Sequence, residues 1–504
     1  MINNVVDGDI SSIPADAMVV GLFEGDKITA DVISCVDKAL DGEINKLIGN
    51  GEFKAKHSES SVIHTLGKLP VRLVVILGLG KRKEFSPDKL RNAVAEICRL
   101  LRKLNCQKIT MAPIGSDVKG ITIADSAKLI AEACILGLYN FDKYKKSEEK
   151  AIDEITLVTE DSSRLSELSN AVSKGVTIAE AANIARDMVN EPANFMTPGN
   201  IVEVAEKIAE KHNLQLKVLD VTDMQDLGMG ALLGVAKGSI EPPKLIILQY
   251  HGDESSAETI GFIGKGVTFD SGGISLKPSK GMGDMKGDMS GAAAVLGAVN
   301  GIAGLKLKIN VTAIVPAVEN LPSGTAYRPA DILKSMSGKT IEVISTDAEG
   351  RLILADALSY ALKMKLNPLI DLATLTGACL VALGTEYAGA FSNNKKLIAD
   401  VIQSADNAGE HLWQLPLAQE YKELNKSQIA DIKNVGGSYA GAITAALFLA
   451  EFTDNKPWVH LDIAGVASSD KEKGYVVKGA TGFGVRTLIE FASLSSKEGG
   501  KYEN

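Results

Sequence analysis

The chain has 504 residues, 45% hydrophobic and 23% charged, a globular balance that excludes disorder and collagen-like repeats. That length is about three times the roughly 150 residues of an average domain, so more than one domain is expected. A formal net charge of -9 argues against a nucleic-acid-binding face spread over the whole chain, and no apolar run approaches the ~20 residues of a membrane span.

The start, Met1-Ile2-Asn3-Asn4, has no basic segment ahead of a hydrophobic one, so no signal peptide is expected. Cys35, Cys98, Cys106, Cys134 and Cys379 are scattered and form no C-x-x-C pair. They read as small buried hydrophobes in a thiol-reducing compartment, and a cytoplasmic location is expected.

In chain order, the apolar runs Ala17 to Phe23 and Arg72 to Leu77 predict strands. Gly78-Leu79-Gly80 lacks the third glycine of a dinucleotide fingerprint, because position 83 is lysine, and is predicted to be a turn. A helix is predicted from Ser86, with Pro87 at its first position: the serine accepts an orphan backbone N–H, and proline has none to lose. Its apolar face is Leu90, Val94, Ile97, Leu101 and Leu104. Arg91, Arg99, Arg102 and Lys103 lie opposite. We read them as a solvated face, not a nucleic-acid patch, since Asp88 and Glu96 interrupt them and no aromatics are interleaved.

The run Ile155 to Val158 predicts the last strand of this α/β unit, and the boundary is placed at residue 162, giving domains 1–162 and 163–504. A long helical pattern follows (Ile178, Ala181, Ile184, Met188), then a helix over Ile201 to Lys211 and strands over Leu214 to Leu219, Lys244 to Gln249 and Thr259 to Ile263. That alternation predicts a parallel or mixed sheet flanked by helices. The polar terminus Ser493 to Asn504 is expected to fray.

Between Gly261 and Arg351 the sequence departs from ordinary packing. Lys265 and Asp270 lie in the glycine-rich run Gly264 to Gly273, just past a predicted strand. In open α/β sheets ligands bind at such strand ends. The run is no phosphate-binding P-loop, because Gly266, and not Ser or Thr, follows Lys265. Lys277 comes next, in Ser275-Leu276-Lys277-Pro278. Asp288 precedes an Ala/Gly-rich helical stretch, where on its own it reads as a helix cap. From Ile341 to Leu352 a strand passes through a loop into a helix predicted over Leu352 to Met364. Residues two apart in extended backbone point the same way, so Asp347, Glu349 and Arg351 can converge.

Four carboxylates, two lysines and Arg351 therefore gather on three strand-end loops, with no histidine among them. Ionised carboxylates share a pocket only when cations neutralise them. Two divalent metals would do so and would lower the pKa of bound water from 15.7 to about 7. Ligand type allows Mn²⁺, Mg²⁺ or Zn²⁺. A two-metal phosphoesterase is the rival within hydrolases, but its arginine-rich phosphate grip is thin here, with Arg351 alone.

Asp347-Ala348-Glu349-Gly350-Arg351-Leu352 and Gly264 to Pro278 resemble the leucyl aminopeptidases of the M17 cytosol aminopeptidase family. So do Asn190-Glu191-Pro192-Ala193-Asn194, Asp371 to Ala378, and Ala480-Thr481-Gly482-Phe483-Gly484. One departure stands out: Ser345 occupies the place of the usual Asn, a position that is not a ligand.

The resemblance implies a macro-like α/β N-terminal domain, a C-terminal two-metal peptidase domain and a homo-hexamer. It implies that Lys265 (as a neutral amine), Asp270, Asp288 and Glu349 hold the more loosely bound ion. Asp270, Asp347 (also through its carbonyl) and Glu349 would hold the other, the ions being Mn²⁺ or Zn²⁺. The implied reaction is release of N-terminal residues, Leu and other apolar ones preferred, from peptides by metal-activated hydroxide. Lys277 would stabilise the oxyanion, and Arg351 would hold a bicarbonate that shuttles the proton. Met285, Thr374, Leu375 and Gly377 would contact the substrate. Some bacterial members also bind DNA; the basic stretch Lys81 to Lys108 is the only local support for that here.

Overall fold

The computed structural model describes residues 2–28, 32–145, 150–498 and 502. The chain divides into two compact units, 1–180 with 471–477 and 181–470 with 478–504. In the first, strands β1 (Ile2–Asp7), β2 (Ala15–Leu22), β3 (Ser60–His64), β4 (Val71–Gly78), β5 (Lys108–Met111) and β6 (Glu154–Thr159) form one sheet in the order β1-β6-β5-β2-β4-β3. Every pairing is parallel except β3 with β4. Leu73 to Gly78 are all buried, as expected of a strand covered on both faces.

The helix Pro87–Lys103 begins as the sequence predicts, with the Ser86 hydroxyl accepting the Lys89 N–H at 3.3 Å. Leu90, Val94, Ile97 and Leu101 are buried. The expected solvated face is corrected at two positions: Arg91 and Arg99 are only 3% and 6% exposed. The helix Ile123–Gly137 covers that flank, where Arg91 Nε donates to Glu132 Oε2 at 2.7 Å and Arg99 donates to the Gly137 carbonyl at 3.3 Å. Removing one partner of such a buried pair costs about 3–5 kcal/mol. The same interface holds the Cys98 and Cys134 thiols 3.6 Å apart, both free.

The second unit is built on a nine-stranded mixed sheet. Its strands are β7 (Gln215–Leu219), β8 (Lys244–His251), β9 (Ile260–Gly264), β10 (Gly266–Asp270), β11 (Asn310–Asn320), β14 (Leu369–Ala373), β15 (Ala388–Ser392), β16 (Leu412–Gln414) and β18 (Trp458–Asp462). The order is β16-β15-β18-β14-β9-β11-β8-β7, with β10 also on β11. A separate small sheet joins β12 (Ile332–Lys334), β13 (Thr340–Glu342) and β17 (Ile432–Lys433). The strand predicted ahead of Asp347 therefore belongs to this small sheet. The helix predicted over Leu352 to Met364 spans Gly350–Lys363, which puts Glu349 at its N-terminal boundary. The helix Val485–Glu498 takes up Ser493 to Glu498, which the sequence reading expects to fray; the rest of that terminus, apart from Tyr502, lies outside the described residues.

Two features of this sheet place the site. β11 is long enough that β9 pairs with its first half (Val311 to Ile314) and β10 with its second (Ala317 to Asn320), so the chain breaks step at Lys265. The Lys265 N–H then donates to the Leu372 carbonyl of β14, and its carbonyl accepts from Ala292 in the helix Ser290–Gly304. Glycine makes this approach possible: a Cβ on Gly291 would lie 2.1 Å from the Leu372 carbonyl oxygen. Deeper in the sheet, Asp371 of β14 accepts from the Trp458 indole at 2.6 Å and pairs with His460 Nδ1 at 2.6 Å. Burial alone would lower the His460 pKa, but Asp371 more than offsets it and the net shift is upward.

Candidate metal centre

Lys265, at the break between β9 and β10, is 3% exposed. Its Nζ lies 2.8 Å from both Asp288 Oδ1 and Glu349 Oε1, and it donates to the Thr374 carbonyl at 2.9 Å. Lys277, reached through the loop after β10, is 2.8 Å from Asp270 Oδ2 and 2.5 Å from Asp347 Oδ1. Oxygens of Asp270, Asp347 and Glu349 lie within 4.8 Å of one another. The three loops singled out from the sequence thus meet at one place, on the carboxyl ends of β9, β10 and β14.

Each carboxylate is held by neighbours of its own. Asp270 Oδ1 accepts from the Gly272 N–H at 2.9 Å and from Asn320 Nδ2 at 2.8 Å. Asn320, the last residue of β11, also donates to the Thr346 carbonyl at 2.9 Å and so ties two of the loops together. Asp288 is not the helix cap that its position suggests. Met289 occupies the cap of the helix Ser290–Gly304, and Asp288 Oδ1 instead accepts from Lys265 and from the Thr374 hydroxyl at 2.7 Å. Ser345 accepts the Asp347 N–H at 3.2 Å, so the shorter side chain still braces the segment where the family pattern has Asn.

Arg351 stands in the first turn of the helix Gly350–Lys363 and donates to the Asn434 carbonyl at 2.6 Å. Its burial depresses the guanidinium pKa to about 10, still charged at neutral pH. Thr374 touches the cluster directly. Leu375 follows it and donates its N–H to Asp462 at 3.2 Å. Gly377 opens the helix Gly377–Leu383 and faces free space, since a Cβ there would meet nothing within 4 Å. Met285 sits half-buried on the short 3₁₀ helix Met282–Gly287 that leads to Asp288. Asn320, Asn434 and Asp462 are supports that sequence reasoning missed. Asn320 carried a usable signal, a polar residue ending an apolar strand.

The electrostatics are those of a crowded acid site. Burial pushes Asp270 up to about 6, reinforced by Glu349, and burial likewise raises Asp347 and lifts Asp288 well above the usual range. Burial alone would raise Glu349 too, but Lys265 outweighs it and holds Glu349 below its ordinary value. For Lys265, desolvation is overcome by Asp288, Glu349 and Asp270, which keep the ammonium charged.

Four carboxylates against two ammonium groups leave negative charge in excess. Asp288 Oδ2 and Glu349 Oε2 are buried with no hydrogen-bond donor among the described residues, a costly state for an anionic oxygen. Dications satisfy both conditions; beside them the ammonium form of Lys265 is disfavoured, and a set of carboxylates with one neutral amine suits Mn²⁺, Mg²⁺ or Zn²⁺.

Profiles of known families match the same chain. The catalytic domain of the cytosol aminopeptidase family matches residues 183–489, and the N-terminal domain of that family matches residues 19–148. The chain belongs to the cytosol aminopeptidase family. It is a hydrolase of the peptidase class. A probable cytosol aminopeptidase of Alkaliphilus metalliredigens is 48% identical over 98% of this chain and 99% of its own length. Its counterpart in Alkaliphilus oremlandii is 47% identical over the same shares. Among solved structures, a variant of tomato leucine aminopeptidase superposes with a TM-score of 0.87 at 33% identity, covering 98% of this chain and 97% of that one. The bottromycin maturation enzyme BotP in complex with Mn superposes at 0.84, also at 33% identity, covering 96% of this chain and all of that one. The mixed α/β fold with a smaller N-terminal α/β domain is thus the fold of the family.

The geometry makes one separable prediction. A Cβ on Gly350 would stand 2.5 Å from Lys265 Cε and 2.7 Å from its Nζ. That end of the lysine cannot swing aside freely, because Asp288, Glu349 and Thr374 hold it. Gly350→Ala should therefore lower turnover by more than about tenfold, although alanine favours a helix over glycine by about 0.8–1.0 kcal/mol. Measuring kcat beside the melting temperature separates the two effects, and full turnover would show that Lys265 needs no fixed position.

Proposed function

We propose that the chain is a metal-dependent aminopeptidase that releases N-terminal residues, with Leu and other apolar residues preferred. The observation that carries this reading is the interleaving of Asp270, Asp288, Asp347 and Glu349 with Lys265 and Lys277, two buried carboxylate oxygens being left without donors. Lys265, Asp270, Asp288 and Glu349 would hold one divalent ion, and Asp270, Asp347 and Glu349 the other, Mn²⁺ or Zn²⁺. When bound, such ions neutralise the carboxylates, polarise the scissile carbonyl and activate water.

The chain's own residues do the rest. Lys277 is the more accessible of the two lysines, its side chain 22% exposed against 3% for Lys265, so its ammonium can donate to the oxyanion that develops on the scissile carbonyl. Arg351 is too weak an acid to give up its own proton near neutrality. Its buried guanidinium, with Nε lacking a hydrogen-bond partner among the described residues, supports the reading that it holds a bicarbonate to carry the proton. Thr374 borders the cluster, and with Leu375, Gly377 and Met285 it would contact the first residue of the peptide.

A domain boundary at residue 162 is supported by its lying between the stretches matched by the two family profiles, whereas the compact units divide later, between residues 180 and 181. The assembly proposed is a homo-hexamer; the exposed Leu380, Val381, Tyr387 and Trp413 offer apolar surface for a subunit contact, and light scattering would test the number of subunits. A cytoplasmic site of action fits the five free cysteines, of which four are buried as expected and Cys35 is exposed; among the described residues no helix is long and apolar enough to cross a membrane. DNA binding through the basic stretch Lys81 to Lys108 loses two of its contacts, because Arg91 and Arg99 are buried.

Acetylating the N-terminus of a leucyl peptide should abolish its cleavage, as read by release of free leucine. Equal rates on blocked and free peptides would refute an aminopeptidase.

A further inference from the structure

Asn434 belongs to none of the loops that carry charged site residues, yet it holds one of them from both ends. β17 runs parallel to β13, with Ile432 beside Ile341 and Lys433 beside Glu342. The Asn434 N–H then donates to the Glu342 carbonyl at 3.0 Å. This pairing sets the Asn434 side chain, fully buried, against the chain as it leaves β13. Its Oδ1 accepts from the Ile344 N–H at 2.7 Å and more weakly from Ser345 at 3.4 Å. Its Nδ2 donates to the Ser345 carbonyl at 2.7 Å and reaches the Ala348 carbonyl at 3.4 Å. Its own carbonyl accepts from Arg351.

Asp347 thus lies within a segment that one amide grips on both sides, Glu349 follows directly after the second grip, and the backbone of the same residue aims the Arg351 guanidinium. Thr346, between the grips, is fixed independently: it is hydrogen-bonded to Gly272, Ser275, Asn320 and Tyr327. Deleting the Asn434 amide should therefore loosen the two carboxylates without releasing the loop altogether.

We propose that Asn434 is a positioning residue that sets Asp347, Glu349 and Arg351 as one unit, preorganising the carboxylates for divalent ions. This rests on the proposed function and adds to it a residue that touches neither ion nor substrate. Partners of metal ligands typically govern about 10–100-fold in ion affinity or activity, and that is the effect assigned to Asn434.

The test compares Asn434→Ala and Asn434→Asp with Asn310→Ala in the full chain. Asn310 is an equally apt control: a buried amide that clasps the loop of Asp253 and Ser256 at the opposite end of β11. Mn²⁺ affinity is measured by titration calorimetry, melting temperature without added ion, and kcat and KM on a leucyl dipeptide. Asn434→Ala should bind Mn²⁺ about 10–100-fold more weakly and lose kcat, while melting no lower than Asn310→Ala, which should keep wild-type affinity and kcat. Asn434→Asp retains the acceptor for Ile344 but loses the donor to Ser345, and should weaken binding too; it decides the matter if the alanine variant does not fold. Wild-type affinity in the folded Asn434 variants overturns the inference alone. A wild type that binds no Mn²⁺ and spares the dipeptide overturns the proposed function, and this inference with it.

Discussion

Lys277→Ala is expected to lower kcat by about 10²–10³-fold, the usual cost of removing one donor to a developing oxyanion, roughly 2.7–4 kcal/mol. Ion content should not fall. Lys277 pairs with Asp270 at 2.8 Å and with Asp347 at 2.5 Å, so its loss leaves both carboxylates more exposed to attraction by a cation. The pattern to look for is a slow enzyme with full ion content by elemental analysis. A variant that turns over at the wild-type rate would remove Lys277 from the chemistry. One that loses its ions would recast it as part of their binding site.

Glu349→Gln should have the larger effect. The change preserves shape but not charge, and Glu349 is the carboxylate that Lys265 keeps most firmly ionised. Its oxygens face Lys265 on one side and the Asp270–Asp347 group on the other, so a neutral amide there weakens both halves of the site together. Ion affinity should drop by more than the 10–100-fold typical of residues that merely support ligands, and turnover should fall towards background. Lys265 still keeps Asp288 as a partner at 2.8 Å, so the fold should survive, as circular dichroism would register. Undiminished affinity together with full turnover would dismiss Glu349 as the shared ligand.

Much of this was legible in the sequence because it is encoded locally. A serine before a proline and a period of three and four specify the start and buried face of the helix Pro87–Lys103. The glycine-rich run after β9 marks the break in step at Lys265, but most of it, Gly266–Asp270, is the further strand β10 and not irregular backbone. What was not legible depends on partners far along the chain. Arg91 looks solvent-facing on its own helix, and only Glu132, 41 residues on, makes it a buried ion. Asp288 has the local signature of a cap, and the competing donors Lys265 and Thr374 decide otherwise. The sequence predicts β13 as a strand but not its sheet, because strand character says nothing about which strand will pair with it. Asn434 carried no signal at all: an asparagine in a loop is ordinary, and its role comes from a pairing of β17 with β13 some 90 residues apart in sequence.

The tight approaches at Gly291 and Gly350 carry a lesson for anyone mapping this protein by saturation mutagenesis. Neither position has a functional group to lose, yet both should score among the least forgiving, with even the smallest replacement penalised. Plotted along the chain, such intolerant but chemically mute positions would trace the outline of the reactive centre in negative, the way a mould records the object it once enclosed.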